Sequence, residues 1–140
     1  MVLNLAAAWV DPEMNRILVI DDDDAMRSLL RRTLERAGYL VVEASNGRDA
    51  LRIVSSAQFQ LVVTDLLMPE KDGIEVVLHL RRSYPGLPVI AISGGGRVPA
   101  GEYLEMARTL GASEILAKPF DMPVFLKTVE RLLAEAPPAA

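Results

Sequence analysis

The strongest constraint on the fold of this chain is a regular alternation of short apolar runs with longer amphipathic segments. Five runs rich in β-branched residues recur along the sequence: RILVI at 16–20, YLVVEA at 39–44, QLVVTD at 60–65, PVIAIS at 88–93 and EILAK at 114–118. Consecutive apolar positions are typical of strands that are buried on both faces of a parallel sheet. A longer segment follows each run, so the pattern predicts a repeating strand–helix unit.

The segments between the runs have the spacing of amphipathic helices. Between Ala25 and Ala37, apolar residues recur every three or four positions among arginines and glutamates, and Gly38 ends the segment. Further helices are expected at 47–56, with Asn46 as its N-cap, and at 74–83, 102–112 and 122–136. Because crossovers between parallel strands place helices on the sheet faces, five strands and five helices predict an α/β fold with a doubly wound, five-stranded parallel sheet.

Size and composition allow one domain and exclude several classes of function. The chain has 140 residues, of which 51% are hydrophobic, which is enough for a substantial core. It contains no cysteine, which excludes disulfides, thiolate metal sites and thiol nucleophiles. The net charge of -4 disfavours nucleic acid as a partner. No apolar run approaches the roughly 18 residues of a membrane span, and no basic residue precedes Arg16 to form a signal peptide, so a cytoplasmic location without a membrane partner is expected.

Reactive side chains follow the carboxyl ends of four predicted strands. Asp21 and Asp22 follow the first strand, Asp65 ends the third, Ser93 ends the fourth and Lys118 ends the fifth. Doubly wound sheets bind ligands at this edge, so these side chains are expected to meet. Oxygen ligands without His or Cys suit a hard cation, and a few carboxylates with room for water suit Mg²⁺ better than Ca²⁺.

The first acidic pair lies in a run of four aspartates at 21–24. Crowded carboxylates repel each other by on the order of several kcal/mol unless a cation or a proton relieves them. Asp23 or Asp24 is expected to cap the first helix, whereas Asp21 and Asp22 are expected to hold Mg²⁺. A carboxylate beside a metal, a lysine and a hydroxyl suits phosphoryl transfer, with the carboxylate as nucleophile. Asp65 is the expected nucleophile.

Four segments, in the order ILVIDDDDAMR, VVTDLLMPEKDG, VIAIS and AKPF, resemble the receiver domain of two-component response regulators of the single-domain, chemotaxis-regulator type. The resemblance covers residues 15 to about 134. It implies a flavodoxin-like fold with strand order 2-1-3-4-5. It also implies that Asp65 accepts a phosphoryl group from a histidine kinase or a histidine phosphotransfer protein in a Mg²⁺-dependent reaction.

The resemblance assigns a role to each residue at the strand ends. Asp22 and Asp65 would ligate Mg²⁺ directly, Asp21 would act largely through water, and the backbone carbonyl of Leu67 would supply a further ligand. Ser93 would move toward the phosphoryl group. Lys118 would pair with a phosphoryl oxygen, and it precedes Pro119 in a bond that is commonly cis in the family.

The sequence departs from the family pattern at three positions. The usual aromatic residue three positions before the lysine is Ile115, so signalling is expected to run instead through the glycine-rich loop GGGRVPAGE at 94–102. Leu67 and Gly95 lie two residues after the phosphoacceptor and two after the hydroxyl, where side chains influence water access to the acyl phosphate. Neither can orient a water molecule, so slow to moderate self-dephosphorylation is expected.

The chain is divided into an N-terminal extension at 1–14, a receiver domain at 15–136 and a tail at 137–140. The extension is expected to be disordered, or translation begins at Met14. Because only 22 residues follow Lys118, no output domain is expected. The protein would then act by relaying the phosphoryl group or by binding an unknown protein target, with a homodimer through the fourth helix and fifth strand as one option.

Two other functions remain open from the sequence. The first is a receiver-like binding module that is not phosphorylated. The second is a haloacid-dehalogenase-like phosphohydrolase, because the aspartate run contains D-x-D spacing; such an enzyme would be phosphorylated on the first strand rather than on Asp65. His79, which lies in a predicted helix without a partner motif, is interpreted as an ordinary helix-surface or boundary residue. The resemblance to receiver domains implies that residues 25–32 and 120–124 determine which histidine kinase phosphorylates the protein.

Overall fold

The computed structural model describes residues 15–68, 72–94, 105–106 and 109–135. They form one parallel sheet with strand order β2-β1-β3-β4-β5, which confirms the predicted sheet and its order. The strands are β1 (Arg16–Ile20), β2 (Leu40–Ala44), β3 (Leu61–Asp65), β4 (Val89–Ser93) and β5 (Glu114–Ala117). β3 is therefore the central strand of the sheet, and its last residue, Asp65, is the predicted phosphoacceptor.

Four helices, rather than the five expected, lie in the described part of the chain. They are α1 (Asp24–Arg36), α2 (Gly47–Ser56), α3 (Asp72–Ser83) and α4 (Met122–Glu135). The helix expected at 102–112 is described only at residues 105–106 and 109–110, all four of which are helical, and the rest of it lies outside the described residues. None of the helices described is both long enough and apolar enough to cross a membrane.

The sheet has an apolar layer on each face, as the continuous apolar runs predicted. On one face, Leu18 and Ile20 of β1 pack with Val54 of α2 and Leu80 of α3. On the other face, Ile17 and Val19 of the same strand pack with residues of α1 and α4, among them Leu30, Leu34, Phe125 and Val129. Alternate residues of one strand thus enter opposite layers, and only the strand ends are free to carry polar groups.

Two N-caps fix the loops that leave the carboxyl edge of the sheet. Oδ1 of Asp23 accepts hydrogen bonds from the backbone N–H groups of Ala25 (2.9 Å) and Met26 (3.3 Å). Oδ1 of Asn46 accepts a hydrogen bond from the backbone N–H of Asp49 at 2.8 Å. Both caps were expected from the sequence. They satisfy helix N–H groups and hold the β1–α1 and β2–α2 loops close to the strand ends.

The first turn of α3 passes directly against the end of β3 at Gly73. A Cβ atom at this position would lie 2.0 Å from the backbone oxygen of Asp65 and 2.7 Å from Cα of Leu66. Both neighbours are backbone atoms, which cannot move aside as a flexible side chain can. The glycine therefore permits a close helix–strand contact next to the predicted phosphoacceptor.

We expect Gly73→Ala to destabilise the fold by about 3 kcal/mol or more, because the added methyl group must displace backbone at the sheet edge. The matched control is Gly38→Ala. Gly38 has a φ of 98° but no atom within 4 Å of the added Cβ, so only the strain of the left-handed conformation applies, about 1 kcal/mol. Urea unfolding monitored by circular dichroism measures both changes. Equal midpoints for the two variants would contradict the close contact.

Candidate functional site

Strand register brings the predicted site residues to one edge of the sheet. Asp65 pairs with Ile92 of β4, and Ser93 pairs with Ala117 of β5. The backbone N–H of Lys118 continues this ladder by donating to the carbonyl of Ser93 at 2.9 Å. Residues up to 53 positions apart in sequence therefore end at one level of the sheet, as the strand-end argument required.

Three carboxylates form a cluster at this edge. Oxygen atoms of Asp21, Asp22 and Asp65 all lie within 4.8 Å of one another. Asp21 and Asp65 are buried, at 0% and 4% exposure, whereas Asp22 is exposed. The cluster thus has a closed inner wall and one side that is open to a ligand.

The carboxylate of Asp65 is held through both of its oxygen atoms. Oδ1 accepts a hydrogen bond from the backbone N–H of Leu67 at 2.8 Å, and Oδ2 accepts one from Nζ of Lys118 at 3.2 Å. The Lys118 side chain is only 26% exposed, so the ion pair is partly shielded from water. The peptide bond between Lys118 and Pro119 is cis, as the family resemblance implied. These contacts fix the direction of the Asp65 carboxylate.

The carboxylate of Asp21 is only half satisfied. Its Oδ1 accepts a hydrogen bond from the backbone N–H of Asp23 at 2.9 Å, but its buried Oδ2 has no partner among the described residues. The pKa of Asp21 is raised from 3.8 to about 6, chiefly by burial and also by the charges of Asp65 and Asp22, while the hydrogen bond from Asp23 and the charge of Lys118 act in the opposite direction.

The donor set fits a hard cation. A buried carboxylate oxygen without a partner is costly unless a proton or a cation satisfies it. The cluster offers only oxygen ligands, and the chain contains no cysteine. Three carboxylates with one open side leave room for water, which suits Mg²⁺. The arrangement therefore meets the chemical requirements of the cation site expected from the sequence.

The hydroxyl group of Ser93 is also without a partner. Its side chain is 1% exposed, and Oγ forms no hydrogen bond within the part of the chain that the structure describes. The strand register places it at the same edge as Asp65 and Lys118. A buried hydroxyl in this position is available to donate to an oxygen atom of a ligand.

The remaining expected residues differ in how far they can be placed. The side chain of Leu67 is 52% exposed, beside the site. Ile115 is partly buried against the layer that contains α2 and α3 and pairs with Ala91. His79 is exposed on α3, as interpreted from the sequence. Gly95 and most of the loop expected to carry the signal, residues 95–102, lie outside the described residues.

One residue of the site was missed by the sequence interpretation. Arg27 was counted as a polar residue of the first helix, but its guanidinium donates to the backbone carbonyl of Asp21 at 2.8 Å. The same group contacts the carboxylates of Glu43 on β2 and Asp24 on α1. An available signal was its place in the first turn of α1, where a long side chain leans back toward the preceding loop.

We expect Asp21→Asn to stabilise the metal-free protein at pH 8 by about 2–3 kcal/mol, the free energy of a shift of about two pKa units. Because the pKa of Asp21 is higher in the folded than in the unfolded state, the folded protein binds the extra proton, and stability falls as pH rises from about 4 to about 6. The measurement is urea unfolding in EDTA at pH 5 and pH 8. The amide oxygen of asparagine can still accept from Asp23.

The matched control for this prediction is Asp22→Asn, which removes one charge from an exposed carboxylate of the same cluster. A much smaller gain in stability at pH 8 is expected for it. If Asp21→Asn gained nothing at pH 8, or gained as much at pH 5, burial of an ionised carboxylate would not be the cost that the structure indicates.

Comparison with known proteins finds response regulator receiver domains both by sequence and by structure. The family model for the response regulator receiver domain matches residues 17–130. The response regulator receiver protein CpdR of Brucella abortus is 34% identical over 123 residues, which are 88% of this chain and 100% of CpdR. The crystal structure of the Vibrio cholerae chemotaxis protein CheY4 is similar with a TM-score of 0.77 and 32% identity, covering 85% of this chain and 98% of CheY4.

Other relatives are longer than this chain. Response regulator MprA of Mycolicibacterium vanbaalenii is 38% identical over 125 residues, which are 88% of this chain but 52% of MprA. The chain spans 27% of a larger transcriptional regulatory protein that also matches. The match to the family model, the whole-length match to CpdR and the shared fold together show that the chain belongs to the receiver domain family of two-component response regulators.

Proposed function

We propose that the protein is a phosphoacceptor response regulator in which Asp65 receives a phosphoryl group from a sensor histidine kinase or a histidine phosphotransfer protein. The carboxylate of Asp65 carries this proposal. It is buried at the end of the central strand, oriented by Lys118 and the Leu67 N–H, and adjacent to two further carboxylates. Receiver domains are signalling proteins rather than conventional enzymes, and we propose that this chain acts as one.

The acidic cluster supports a role for Mg²⁺ in this reaction. Bound Mg²⁺ supplies positive charge that offsets the carboxylates and the incoming phosphoryl oxygens. In our proposal Asp22, Asp65 and the Leu67 carbonyl are direct ligands, and Asp21 acts through water. The unpartnered Oδ2 of Asp21 supports this assignment, because a buried acceptor within the cluster is left for a cation or its water.

The transfer itself is a nucleophilic substitution at phosphorus. A carboxylate oxygen of Asp65 attacks phosphorus, an O–P bond forms, the P–N bond to the donor histidine breaks, and the imidazole nitrogen keeps the electron pair and takes up a proton. Lys118 exchanges its contact with Asp65 for one with a phosphoryl oxygen. The free hydroxyl of Ser93 donates to another.

The downstream step is proposed to be relay of the phosphoryl group or binding of a protein target, within the cytoplasm. CpdR, a response regulator receiver protein, matches this chain over its whole length. We assign residues 15–136 to the receiver domain, consistent with the family match at 17–130. Residues 1–14 and 137–140 lie outside the described residues. The negative net charge gives no support for a nucleic-acid partner.

The phosphohydrolase alternative fits the loop after β1 less well. Its D-x-D motif needs a second aspartate free to act as an acid or base two residues after the first. Asp23 instead caps α1, and Asp24 forms an ion pair with Arg27 while its side chain is 87% exposed. The binding-module alternative keeps one supporting observation, Ile115 in place of the usual aromatic residue. The three functions predict different phosphoryl labelling: on Asp65 for our proposal, on an aspartate after β1 for the phosphohydrolase, and on no residue for the binding module.

We expect acetyl phosphate and Mg²⁺ to add one phosphoryl group to the wild-type protein and none to Asp65→Asn. The change removes the nucleophilic charge but keeps the size of the side chain. Intact-protein mass spectrometry follows the label, and peptide mapping after acid quenching locates it. The matched control is Asp23→Asn, which alters an aspartate outside the three-carboxylate cluster and preserves a helix-capping side chain.

Three results are distinguishable. Label on Asp65 that is lost in Asp65→Asn and kept in Asp23→Asn supports the proposal. Label on an aspartate that follows β1 would support the phosphohydrolase. Absence of label in the wild-type protein, together with no response to a beryllofluoride analogue, would favour the unphosphorylated binding module.

We expect the phosphorylated protein to decay over minutes rather than seconds in Mg²⁺ buffer, because the aliphatic side chain of Leu67 cannot orient water toward the acyl phosphate. Leu67→Asn should accelerate the decay several-fold by adding a polar group beside the site. Leu29→Asn is the matched control, since Leu29 is also exposed but lies on α1. Mass spectrometry measures the loss of the phosphoryl label with time in the wild-type protein and in both variants. Decay within seconds in the wild type would contradict the expectation.

A further inference from the structure

Arg27 connects three segments that border the acidic cluster. Nη1 donates to the backbone carbonyl of Asp21 at 2.8 Å, Nε donates to Oε1 of Glu43 at 3.2 Å, and Nη2 donates to Oδ1 of Asp24 at 2.6 Å. The side chain as a whole is 17% exposed. One residue of α1 is thus bonded at the same time to the end of β1, to β2 and to its own first turn.

The bond to Asp21 acts on the peptide that carries Asp22. The carbonyl of Asp21 and the amide of Asp22 belong to one rigid peptide plane. The preceding amide of Asp21 is fixed by its bond to the carbonyl of Ala44 at 3.1 Å. With Arg27 holding the carbonyl, the orientation of the plane between Asp21 and Asp22 is restricted, and this limits the directions in which the Asp22 side chain can leave the backbone.

The side chain of Asp22 has no polar contact of its own within the described residues, so its position depends on the backbone on either side of it. Arg27 holds the backbone before Asp22, and the bond from the Asp23 N–H to Oδ1 of Asp21 holds the backbone after it. Its carboxylate forms no hydrogen bond or ion pair with any of their groups, and the residue is exposed. Asp21 and Asp65, in contrast, are each fixed by a hydrogen bond from a backbone N–H. The least constrained carboxylate of the cluster therefore depends on its backbone for its position.

We propose that Arg27 is a positioning residue that sets the affinity of the acidic cluster for Mg²⁺ by fixing the peptide between Asp21 and Asp22; this inference rests on the proposed function. Groups that orient metal ligands without touching the metal commonly change metal affinity 10- to 100-fold. The three nitrogens of the planar guanidinium donate to one carbonyl and two carboxylates at the same time. A lysine ammonium cannot do this in the same geometry.

Charge alone predicts the opposite result. Removing a cation from the neighbourhood of a metal site lowers the repulsion of Mg²⁺ and should tighten binding. Removing a positioning residue should weaken it. In a variant shown to be folded, the sign of the change in Kd therefore separates the two roles of Arg27.

The experiment is a calorimetric titration of the full-length protein with MgCl₂ at pH 8. Arg27→Met should raise the Kd for Mg²⁺ about 10-fold or more, and Arg27→Lys should give a smaller rise. The matched control is Arg31→Met. Arg31 lies one turn further along α1 and pairs with the other oxygen of Glu43 at 3.6 Å, but it has no bond to Asp21. Its loss should leave the Kd within twofold.

Glu43→Gln gives a second variant in case Arg27→Met folds poorly. It removes the β2 anchor of Arg27 but leaves the donor to Asp21 in place, so an intermediate rise in Kd is expected. Circular dichroism and urea unfolding establish that each variant is folded at the titration temperature. In the amide spectrum of the metal-free protein, a shift of the Asp22 resonance in Arg27→Met but not in Arg31→Met is the second expected readout.

The possible failures are distinct. If the wild-type protein does not bind Mg²⁺, the proposed function fails and takes the inference with it. If the wild type binds Mg²⁺ and Asp22→Asn loses binding, but Arg27→Met binds equally or more tightly, only the positioning role is wrong. An equal loss in Arg27→Met and Arg31→Met would assign the effect to the ion pairs of Glu43 rather than to the Asp21 carbonyl.

Discussion

The site depends on mutual repulsion among three carboxylates that the sheet holds together. Asp21, Asp22 and Asp65 come from two strand ends, and the hydrogen-bonded register of β1 with β3 keeps the backbones that carry them next to each other. Burial disfavours the ionised form of a carboxylate, as the raised pKa of Asp21 indicates. The free energy that the two apolar layers provide is what allows the fold to keep this arrangement without a bound cation.

Local contacts orient the carboxylates without neutralising them. Backbone N–H groups bond to Asp21 and Asp65, and Lys118 supplies the one cationic side chain that pairs with the cluster among the described residues. A single lysine against three carboxylates leaves an excess of negative charge. The site is therefore prepared for a divalent cation, while the fixed direction of the Asp65 carboxylate is suited to attack on phosphorus.

Most of the fold could be predicted because its signals are local and repeated. Five apolar runs gave the strands, the caps Asp23 and Asn46 marked helix starts, and the strand ends located the acidic cluster. Long-range contacts that depend on depth and direction could not be predicted. Gly73 resembled an ordinary loop glycine until its distance to Asp65 was known, and Arg27 resembled a surface residue because its three acceptors lie on three different elements.

The same contacts indicate where a phosphoryl group can change the structure. The β1–α1 loop is held by the Asp23 cap and by Arg27, and the start of α3 lies in close contact with the end of β3 at Gly73. The end of β4 differs, because the buried hydroxyl of Ser93 has no partner within the described residues. If Asp65 is phosphorylated as proposed, the Ser93 hydroxyl is a hydrogen-bond donor that is available to a phosphoryl oxygen. Since the glycine-rich loop begins immediately after Ser93, rearrangement should start at β4 and not depend on an aromatic residue at position 115.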